Sequence, residues 1–362
     1  MSNSDIRVVP GPANYFSHPG SLERLSDFFS ADQLSRAVWV YGERALAGAE
    51  PFLPAAFHLP EAKKILFTGH CSERDVAGLV QASGDDRAVV IGVGGGALLD
   101  SAKVLARRLG VPLVAIPTIA ATCAAWTPLS VWYSDAGQAL NFEIFDDANF
   151  LVLVEPRIIL NAPAEYLLAG IGDTLAKWYE AVVLAPQPTA LPLTVRLGIN
   201  GALAIRDVLL ASSETALADQ RRGDLTQAFR DVVEAIIAGG GMVGGLGERY
   251  TRVAAAHAVH NGLTVLPQTD KFLHGTKVAY GILVQSALLG QDDVLAQLVQ
   301  AYQRFNLPTT LAALEVDINN RAELDRVIAH TLRPGESIHY LPVTLTPEVL
   351  RAAFEKVEYF SR

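Results

Sequence analysis

The sequence predicts an N-terminal α/β domain with a parallel, Rossmann-like sheet, followed by an all-helical C-terminal domain. Three observations lead to this fold class. Up to about residue 155, β-branched apolar runs alternate with amphipathic stretches, and after it long helical patterns follow. In addition, 362 residues exceed what one hydrophobic core usually holds. We place the domains at 1–156 and 157–362, since the pattern changes at Glu155-Pro156.

Five short apolar runs in the first domain are predicted strands. They are continuous rather than alternating, which is typical of strands buried on both faces of a parallel sheet. Helical patterns such as 73–82 and 97–109 lie between them, so we expect βαβ units. A stretch at 130–142 is predicted to be a hairpin that turns at 135–137. The five predicted strands are 36–41, 64–68, 88–93, 112–116 and 150–154.

The second domain shows helical periodicity and no good strand. The glycine-rich stretch 239–247 follows a helix, and we interpret it as a helix break with close packing. The predicted helices are 163–184, 191–210, 224–238, 252–263, 277–289, 293–305 and 323–331.

Composition excludes several classes of protein. The net charge is −9 and the basic residues are scattered, which argues against a nucleic-acid partner. Cys71 and Cys123 are the two cysteines, too few for a disulfide framework. The first residues lack the apolar core of a signal peptide, and the longest apolar runs are too short for a bilayer. We therefore expect a cytoplasmic protein without a membrane partner.

A glycine-rich turn, Gly92-Val-Gly-Gly-Gly-Ala97, lies between a predicted strand and a predicted helix. It matches the dinucleotide pattern G-x-G-x-x-A, in which backbone N–H groups at a helix N-terminus bind a pyrophosphate. The pattern also requires an acidic residue about 20 positions later for the ribose. The chain has Leu113-Val-Ala-Ile-Pro-Thr118 there, so the alternative of a tight packed turn stays open.

One aspartate and two histidines of the second domain form a candidate metal-ligand set: Asp173, His257 and His274. A carboxylate with two imidazoles suits a divalent metal, and three protein ligands leave a coordination position for water or substrate. Each residue also has a simpler explanation, since a histidine can be a hydrogen-bonded core residue and Asp173 an N-cap. The spacing of these residues in the sequence does not by itself decide between a metal site and these simpler explanations. Together with the glycine turn, the set suggests hydride transfer in a cleft between the domains.

Several motifs occur in a characteristic order along nearly the whole chain: Gly94-Gly-Gly-Ala-Leu-Leu-Asp-Ser-Ala-Lys103, Ile116-Pro-Thr-Ile-Ala-Ala-Thr122, Gly170-Ile-Gly-Asp173 and the two histidine segments. In these motifs the chain resembles the iron-containing alcohol dehydrogenases, in the glycerol dehydrogenase branch. The resemblance implies an NADP-dependent and metal-dependent oxidoreductase that reduces small 2-oxo acids to 2-hydroxy acids. The alternatives are a glycerol, polyol or aldehyde enzyme of the same superfamily, a lyase of the dehydroquinate synthase type, and a non-catalytic descendant. We also expect a homo-oligomer.

The resemblance assigns roles to individual residues. Asp173, His257 and His274 match the metal ligands, with zinc favoured and iron possible. Lys177 stands where many iron-dependent members have a fourth ligand, a histidine. His260 either relays a proton from water or only orients the site. The positions that match the cofactor site are Gly95, Gly96, Ala97, Thr118, Thr127, Leu129 and Tyr133.

Two departures from the family pattern bear on specificity. Gly42 replaces the aspartate that NAD-preferring relatives use to bind the ribose, which makes room for a 2′-phosphate and predicts NADP(H). Arg44 would add a positive charge there and Glu43 opposes it. Cys123, followed by Trp126, replaces the aspartate that holds the polyol in glycerol enzymes. We therefore assign Cys123 and Trp126 to the substrate site and expect an anionic oxo acid; small-residue packing is the alternative for Cys123.

Overall fold

A computed structural model describes residues 6–135, 137–185 and 190–362. The chain forms two compact units. The α/β unit comprises residues 9–163 and 219–242, and the helical unit comprises 164–218 and 243–362 together with the described residues before Val9. This division differs from the predicted one in three respects, the first being that the described residues before Val9 belong to the helical unit. The boundary predicted after Pro156 lies after Pro163, and residues 219–242 belong to the α/β unit.

A six-stranded parallel sheet forms the centre of the α/β unit, with the order β1-β8-β5-β4-β2-β3. The five predicted strands are all present in it. β1 was not predicted, because its four residues Asn-Tyr-Phe-Ser form no apolar run. The strands are β1 (Asn14–Ser17), β2 (Ala37–Tyr41), β3 (Lys63–Leu66), β4 (Val89–Gly94), β5 (Leu113–Pro117) and β8 (Leu151–Val154).

The central strands of this sheet are covered on both faces, as their continuous apolar runs require. The strands β4, β5 and β8 are buried along their whole length, and Trp39 of β2 is the largest fully buried side chain of the core. The helices of the unit are α1 (Leu25–Phe28), α2 (Ala31–Ser35), α3 (Glu43–Ala49), α4 (Glu73–Ser83), α5 (Gly96–Leu109), α6 (Pro156–Leu160) and α9 (Gln227–Glu234), which continues as a π-helical segment (Ala235–Gly239).

The predicted hairpin is present as an antiparallel pair of strands, β6 (Leu129–Tyr133) and β7 (Ala139–Ile144). It extends further on both sides than predicted. Ala136, at the centre of the predicted turn, lies outside the described residues. β6 contacts α5, so the hairpin is attached to the helix that follows the glycine-rich turn.

The segment after β8 stays in the core of the α/β unit, which explains the later boundary. Glu155 is fully buried, and its Oε2 accepts from the N–H of Gly20 at 2.6 Å. Ile158 of α6 packs in the sheet core. Gln220 donates its amide to the carbonyl oxygens of Ile159 and Ala162 at 3.1 and 3.0 Å, so residues after 218 return to this unit. The change of pattern at Glu155-Pro156 is therefore not a boundary between compact units.

The helical unit has no strand among its described residues, as predicted. α8 extends twelve residues beyond its predicted end at 210, and α15 was not predicted. None of the helices in the described ranges is long and apolar enough to span a membrane. Two helices, α8 and α10, cross a boundary between the units and lie mostly in the helical unit. The helices of the helical unit are α7 (Ala164–Leu184), α8 (Leu193–Arg222), α10 (Gly240–Gly247), α11 (Ala255–Leu263), α12 (His274–Leu288), α13 (Asp292–Phe305), α14 (Arg321–Thr331) and α15 (Pro347–Phe360).

The glycine cluster 239–247 is helical, so its prediction as a helix break is wrong. At Ala235–Gly239 the backbone forms a π-helical segment, so the helix changes its hydrogen-bond pattern there but does not end. The predicted close packing is confirmed. A side chain on Gly241 would overlap the indole of Trp126, and one on Gly198 would lie 3.2 Å from the carbonyl oxygen of Val243.

Candidate active site

Glycines allow three helices of the helical unit to approach closely, and this brings the candidate metal ligands together. A Cβ on Gly172 of α7 would overlap the carbonyl oxygen of Gly275 on α12, and one on Gly281 of α12 would overlap Ala256 on α11. Asp173 follows Gly172 directly, His274 precedes Gly275, and His257 follows Ala256. The glycines at these crossings are therefore part of the reason why three residues far apart in the chain meet.

Asp173, His257 and His274 each offer one ligand atom, and these atoms lie within 4.8 Å of one another. Oδ1 of Asp173 is 3.1 Å from Nε2 of His274 and 3.5 Å from Nε2 of His257. Asp173 and His257 are almost enclosed, whereas the side chain of His274 is 42% exposed. The cluster therefore opens to solvent on the side of His274.

The donor set fits a divalent metal ion. Oδ1 of Asp173 is buried, and within the described chain it is faced only by the Nε2 atoms of His257 and His274, so three ligand atoms converge where a cation would satisfy all of them. One carboxylate and two imidazoles are the ligands of catalytic zinc sites, in which a fourth position is left for water or substrate. Asp173 lies in the interior of α7 rather than at its start, so the N-cap alternative is excluded.

Glu180 supports this cluster and was not predicted. It is fully buried, and its Oε2 lies 2.7 Å from Nδ1 of His257. Its Oε1 accepts from the N–H groups of Ala254 and His257 at 2.7 and 3.1 Å. A carboxylate that accepts from the second nitrogen of a histidine leaves the first nitrogen free for a metal. Its position seven residues after Asp173, on the same face of a helix, was a signal available in the sequence.

The charged side chains around Asp173 and His257 stabilise one another in their ionised forms. Burial alone would raise the pKa of the Asp173 carboxyl, but His257, His274 and then Lys177 outweigh it and hold that pKa well below its usual range. Burial alone would lower the pKa of His257, but the carboxylates of Glu180 and Asp173 raise it to about 9. In the protein without metal, the Asp173 carboxyl is therefore held in its charged form.

His260 connects His274 to a second chain of hydrogen bonds. Its Nε2 lies 3.0 Å from Nδ1 of His274, and its Nδ1 lies 3.0 Å from Oδ1 of Asn261. The amide nitrogen of Asn261 donates to Glu336 at 2.9 Å, which fixes the orientation of that amide. Since Asn261 then presents an acceptor, Nδ1 of His260 carries the proton and Nε2 accepts from His274. Burial, followed by the nearby cationic groups, lowers the pKa of His260 well below its usual range, in agreement with a neutral ring.

The predicted phosphate-binding turn lies at the carboxyl edge of the sheet in the α/β unit. Gly95 is the N-cap of α5, and Gly96 and Ala97 form its first turn, where N–H groups lack helical partners. Registers between β2, β4 and β5 place Tyr41 beside Val93 and Gly94 beside Pro117. Gly42 and Thr118, the residues after β2 and β5, therefore lie at the same edge as the turn.

A buried lysine holds the loop that contains the other predicted cofactor and substrate residues. Lys103 of α5 pairs with Asp100 at 2.8 Å and donates to the carbonyl oxygens of Ala124 and Thr127 at 3.0 and 3.2 Å, and also to that of Leu129. Asp100 in turn accepts from the N–H of Val131 at 3.1 Å. The sequence analysis assigned no role to Lys103 and Asp100, although two opposite charges three residues apart in an apolar helix were a usable signal.

The other predicted site residues of the α/β unit, Cys123, Trp126 and Tyr133, each make defined contacts within that unit. The carbonyl oxygen of Cys123 accepts from the N–H groups of Trp126 and Thr127, and the Cys123 side chain is half-buried. Trp126 packs against Tyr15, with ring centroids 5.0 Å apart, and donates its indole N–H to Pro10. That N–H is therefore not offered to a substrate. Tyr133 stacks on His70 with ring centroids 5.7 Å apart.

Comparisons with known proteins give the family. The model of the family described as iron-containing alcohol dehydrogenase matches residues 12–156. The chain is 80% identical to hydroxycarboxylate dehydrogenase A of Escherichia coli (strain K12), over 99% of both chains. It is 34% identical to glycerol dehydrogenase of Pseudomonas putida, over 96% of both.

Solved structures agree with this. Glycerol dehydrogenase from Schizosaccharomyces pombe superposes with a TM-score of 0.84 at 29% identity, covering 99% of this chain and 92% of that one. A probable glycerol dehydrogenase from Sinorhizobium meliloti 1021 gives 0.83 at 27% identity, covering 98% and 99%. The ligand cluster, the glycine-rich turn and these similarities together show that the chain is an oxidoreductase that belongs to the iron-containing alcohol dehydrogenase family, with glycerol dehydrogenases among its relatives.

Proposed function

We propose that this protein reduces small 2-oxo carboxylic acids to 2-hydroxycarboxylic acids, with NADPH as the hydride donor and one divalent metal ion as cofactor. The observation that carries this proposal is the cluster of Asp173, His257 and His274 in the helical unit. The similarity to a hydroxycarboxylate dehydrogenase supports the substrate class.

Asp173, His257 and His274 would hold the metal, with Glu180 orienting His257. We favour zinc over iron, because these residues supply three ligands and Lys177, at the position of a fourth, has no lone pair when charged. The ion would supply a Lewis acid for the oxygen of a substrate carbonyl.

The cofactor proposal depends on the α/β unit. Gly95, Gly96 and Ala97 would bind the pyrophosphate through the N-terminus of α5. Gly42 leaves space at the end of β2 and adds no negative charge that would repel a 2′-phosphate. In the reaction the carbonyl carbon gains a hydride, its oxygen gains a proton, and NADPH becomes NADP⁺.

We assign His260 an orienting role and take water as the source of the proton. Both of its ring nitrogens are engaged, with His274 and Asn261. As the acceptor of the proton on Nδ1 of His274, it leaves Nε2 of His274 free to face the ligand cluster. A histidine with both nitrogens occupied in this way has no free position from which to pass a proton to a substrate.

Oxidation of glycerol or another polyol, or aldehyde reduction, is the second candidate. It is favoured by the 34% identity to a glycerol dehydrogenase. We prefer the oxo acid because Cys123 replaces an acidic residue of the glycerol enzymes. A screen of the purified protein against 2-oxo acids, aldehydes and glycerol, with NADH and NADPH in parallel, tests both candidates. Efficient glycerol oxidation without oxo-acid reduction would overturn the proposal.

The metal proposal has its own test. His257→Ala should remove the ion and the activity while the far-UV circular dichroism stays unchanged. His58→Ala, which changes an exposed histidine of the α/β unit, is the matched control and should keep both. Full metal content in the His257→Ala protein by elemental analysis would show that the ion binds elsewhere.

A further inference from the structure

Lys177 is a cation on the same helix face as a candidate metal ligand. It follows Asp173 by four residues on α7, which places the two Cβ atoms about 6 Å apart. Its side chain is partly buried. Nowhere in residues 6–135, 137–185 and 190–362 does Lys177 find a hydrogen-bond or ion-pair partner. Its charge does reach the Asp173 carboxylate, on whose pKa it acts.

Three other lysines of the chain are differently placed. Lys103 is buried against carbonyl oxygens in the α/β unit, and Lys277 donates to the carbonyl oxygen of Thr269 at 3.2 Å. Lys356 pairs with Asp292. A partly buried ammonium gives up hydration, which is unfavourable unless an anion compensates for it. Lys177 is thus a cation without a hydrogen-bonded or ion-paired anion in the described part of the chain, beside a cluster that opens to solvent at His274.

We infer that Lys177 binds the carboxylate of the substrate and thereby selects 2-oxo acids over neutral carbonyl compounds and polyols. This inference rests on the proposed function and names the residue that determines its substrate class. In a 2-oxo acid the carboxylate is bonded directly to the carbonyl carbon, so the group that receives the carboxylate must lie close to the one that receives the carbonyl oxygen. The separation of one helical turn between Asp173 and Lys177 meets that requirement.

Electrostatics leads to the same assignment. A divalent ion held by Asp173 would neutralise the carboxylate that otherwise faces Lys177, and the ammonium would then repel the ion. An anionic substrate placed between them removes this repulsion, whereas glycerol does not. A lysine suits the task because its ammonium is a compact charge with three donors on a flexible stem.

Three variants of the metal-loaded protein test the inference. Lys177→Met keeps much of the apolar stem and removes the charge, Lys177→Arg restores a cation, and Lys356→Met removes a lysine from α15 as the control. Binding of oxamate, an unreactive anion of the same shape as a short 2-oxo acid, is measured by calorimetry. The kcat/KM for a 2-oxo acid and for its neutral methyl ester is measured with NADPH.

We expect Lys177→Met to weaken oxamate binding and to lower kcat/KM for the acid about tenfold to a hundredfold, the usual effect of losing a charged hydrogen bond. The ester should be used as before, the metal content should stay at the wild-type level, and Lys177→Arg should recover much of the acid activity. Equal losses for acid and ester, no loss for either, or loss of the metal would overturn the inference.

The inference and the proposed function fail in different ways. If the wild-type protein does not reduce 2-oxo acids, the proposed function fails. If it reduces them but oxamate binds the wild type and Lys177→Met equally, only the role of Lys177 fails.

Discussion

The Nδ1 atom of His257 lies 2.7 Å from Oε2 of Glu180, and the other oxygen of this carboxylate accepts from the main-chain N–H of the same histidine at 3.1 Å. Glu180 therefore holds both the ring and the backbone of one candidate ligand. Because α7 also contains Asp173, one helix supplies one candidate ligand and the group positioned to orient another.

Glu180→Gln should weaken metal binding about tenfold to a hundredfold, as is usual when a partner behind a histidine ligand is changed. The amide keeps the shape of the side chain but lacks the charge that favours His257 as a donor at Nδ1. Competition with a chromogenic chelator gives the affinity. Glu165→Gln, in the exposed first turn of the same helix, is the matched control. Equal affinities for the two variants would contradict an orienting role.

Lys103→Met should lower the free energy of unfolding by about 3 kcal/mol, since it leaves the buried Asp100 and three carbonyl oxygens without their cation. Binding of NADPH should weaken as well, because the carbonyl groups of Thr127 and Leu129 lose their anchor. Urea unfolding and a fluorescence titration measure the two effects. Arg108→Met, on the same helix as Lys103, removes a surface ion pair with Glu73 of α4 and should cost less than about 1 kcal/mol. If Lys103→Met cost no more than this control, the loop would not depend on Lys103.

Gly42→Asp should shift cofactor preference from NADPH toward NADH by at least about tenfold, through repulsion of the 2′-phosphate. The backbone of Gly42 has φ −89°, and a Cβ there would lie 3.7 Å from that of Ala45, so a side chain is accommodated without strain. Gly42→Ala is the control that adds a side chain without a charge, and it should leave the preference for NADPH over NADH nearly unchanged. The ratio of kcat/KM for the two cofactors is the measurement. Equal use of NADPH and NADH by the wild type would contradict the proposed preference.

Cys123→Asp should raise KM for 2-oxo acids, since a negative charge at a residue that we assign to the substrate site would repel an anionic substrate. Cys123→Asn is the control of similar size without the charge. The measurement is the KM for a 2-oxo acid, obtained from steady-state kinetics of the two variants at saturating NADPH. Unaltered oxo-acid kinetics in Cys123→Asp would mean that Cys123 does not face the substrate and that its assignment to the substrate site fails.

The fold was largely predictable because its signals are local. Apolar runs at β2, β4, β5 and β8 and the helical periodicity after Val154 are properties of short windows of sequence. β1 was missed because a strand of four residues at the edge of a sheet has too few apolar positions to be recognised. The return of residues 219–242 to the α/β unit was equally invisible, since it depends on contacts such as that of Gln220 with Ile159.

For the site, the sequence by itself determined the candidates: Asp173, His257 and His274, the turn at Gly95, and the substitutions at Gly42 and Cys123. Only the tertiary structure decided that the three ligands lie within 4.8 Å of one another, because their meeting depends on the close approach of α7, α11 and α12 at Gly172, Gly275 and Gly281. It also brought both ring nitrogens of His260 into contact with other side chains, those of His274 and Asn261, on which the proposed orienting role rests. A ligand type is a property of one residue, whereas a ligand geometry is a property of the helices that hold it, and their packing is not encoded in the spacing of the residues along the chain.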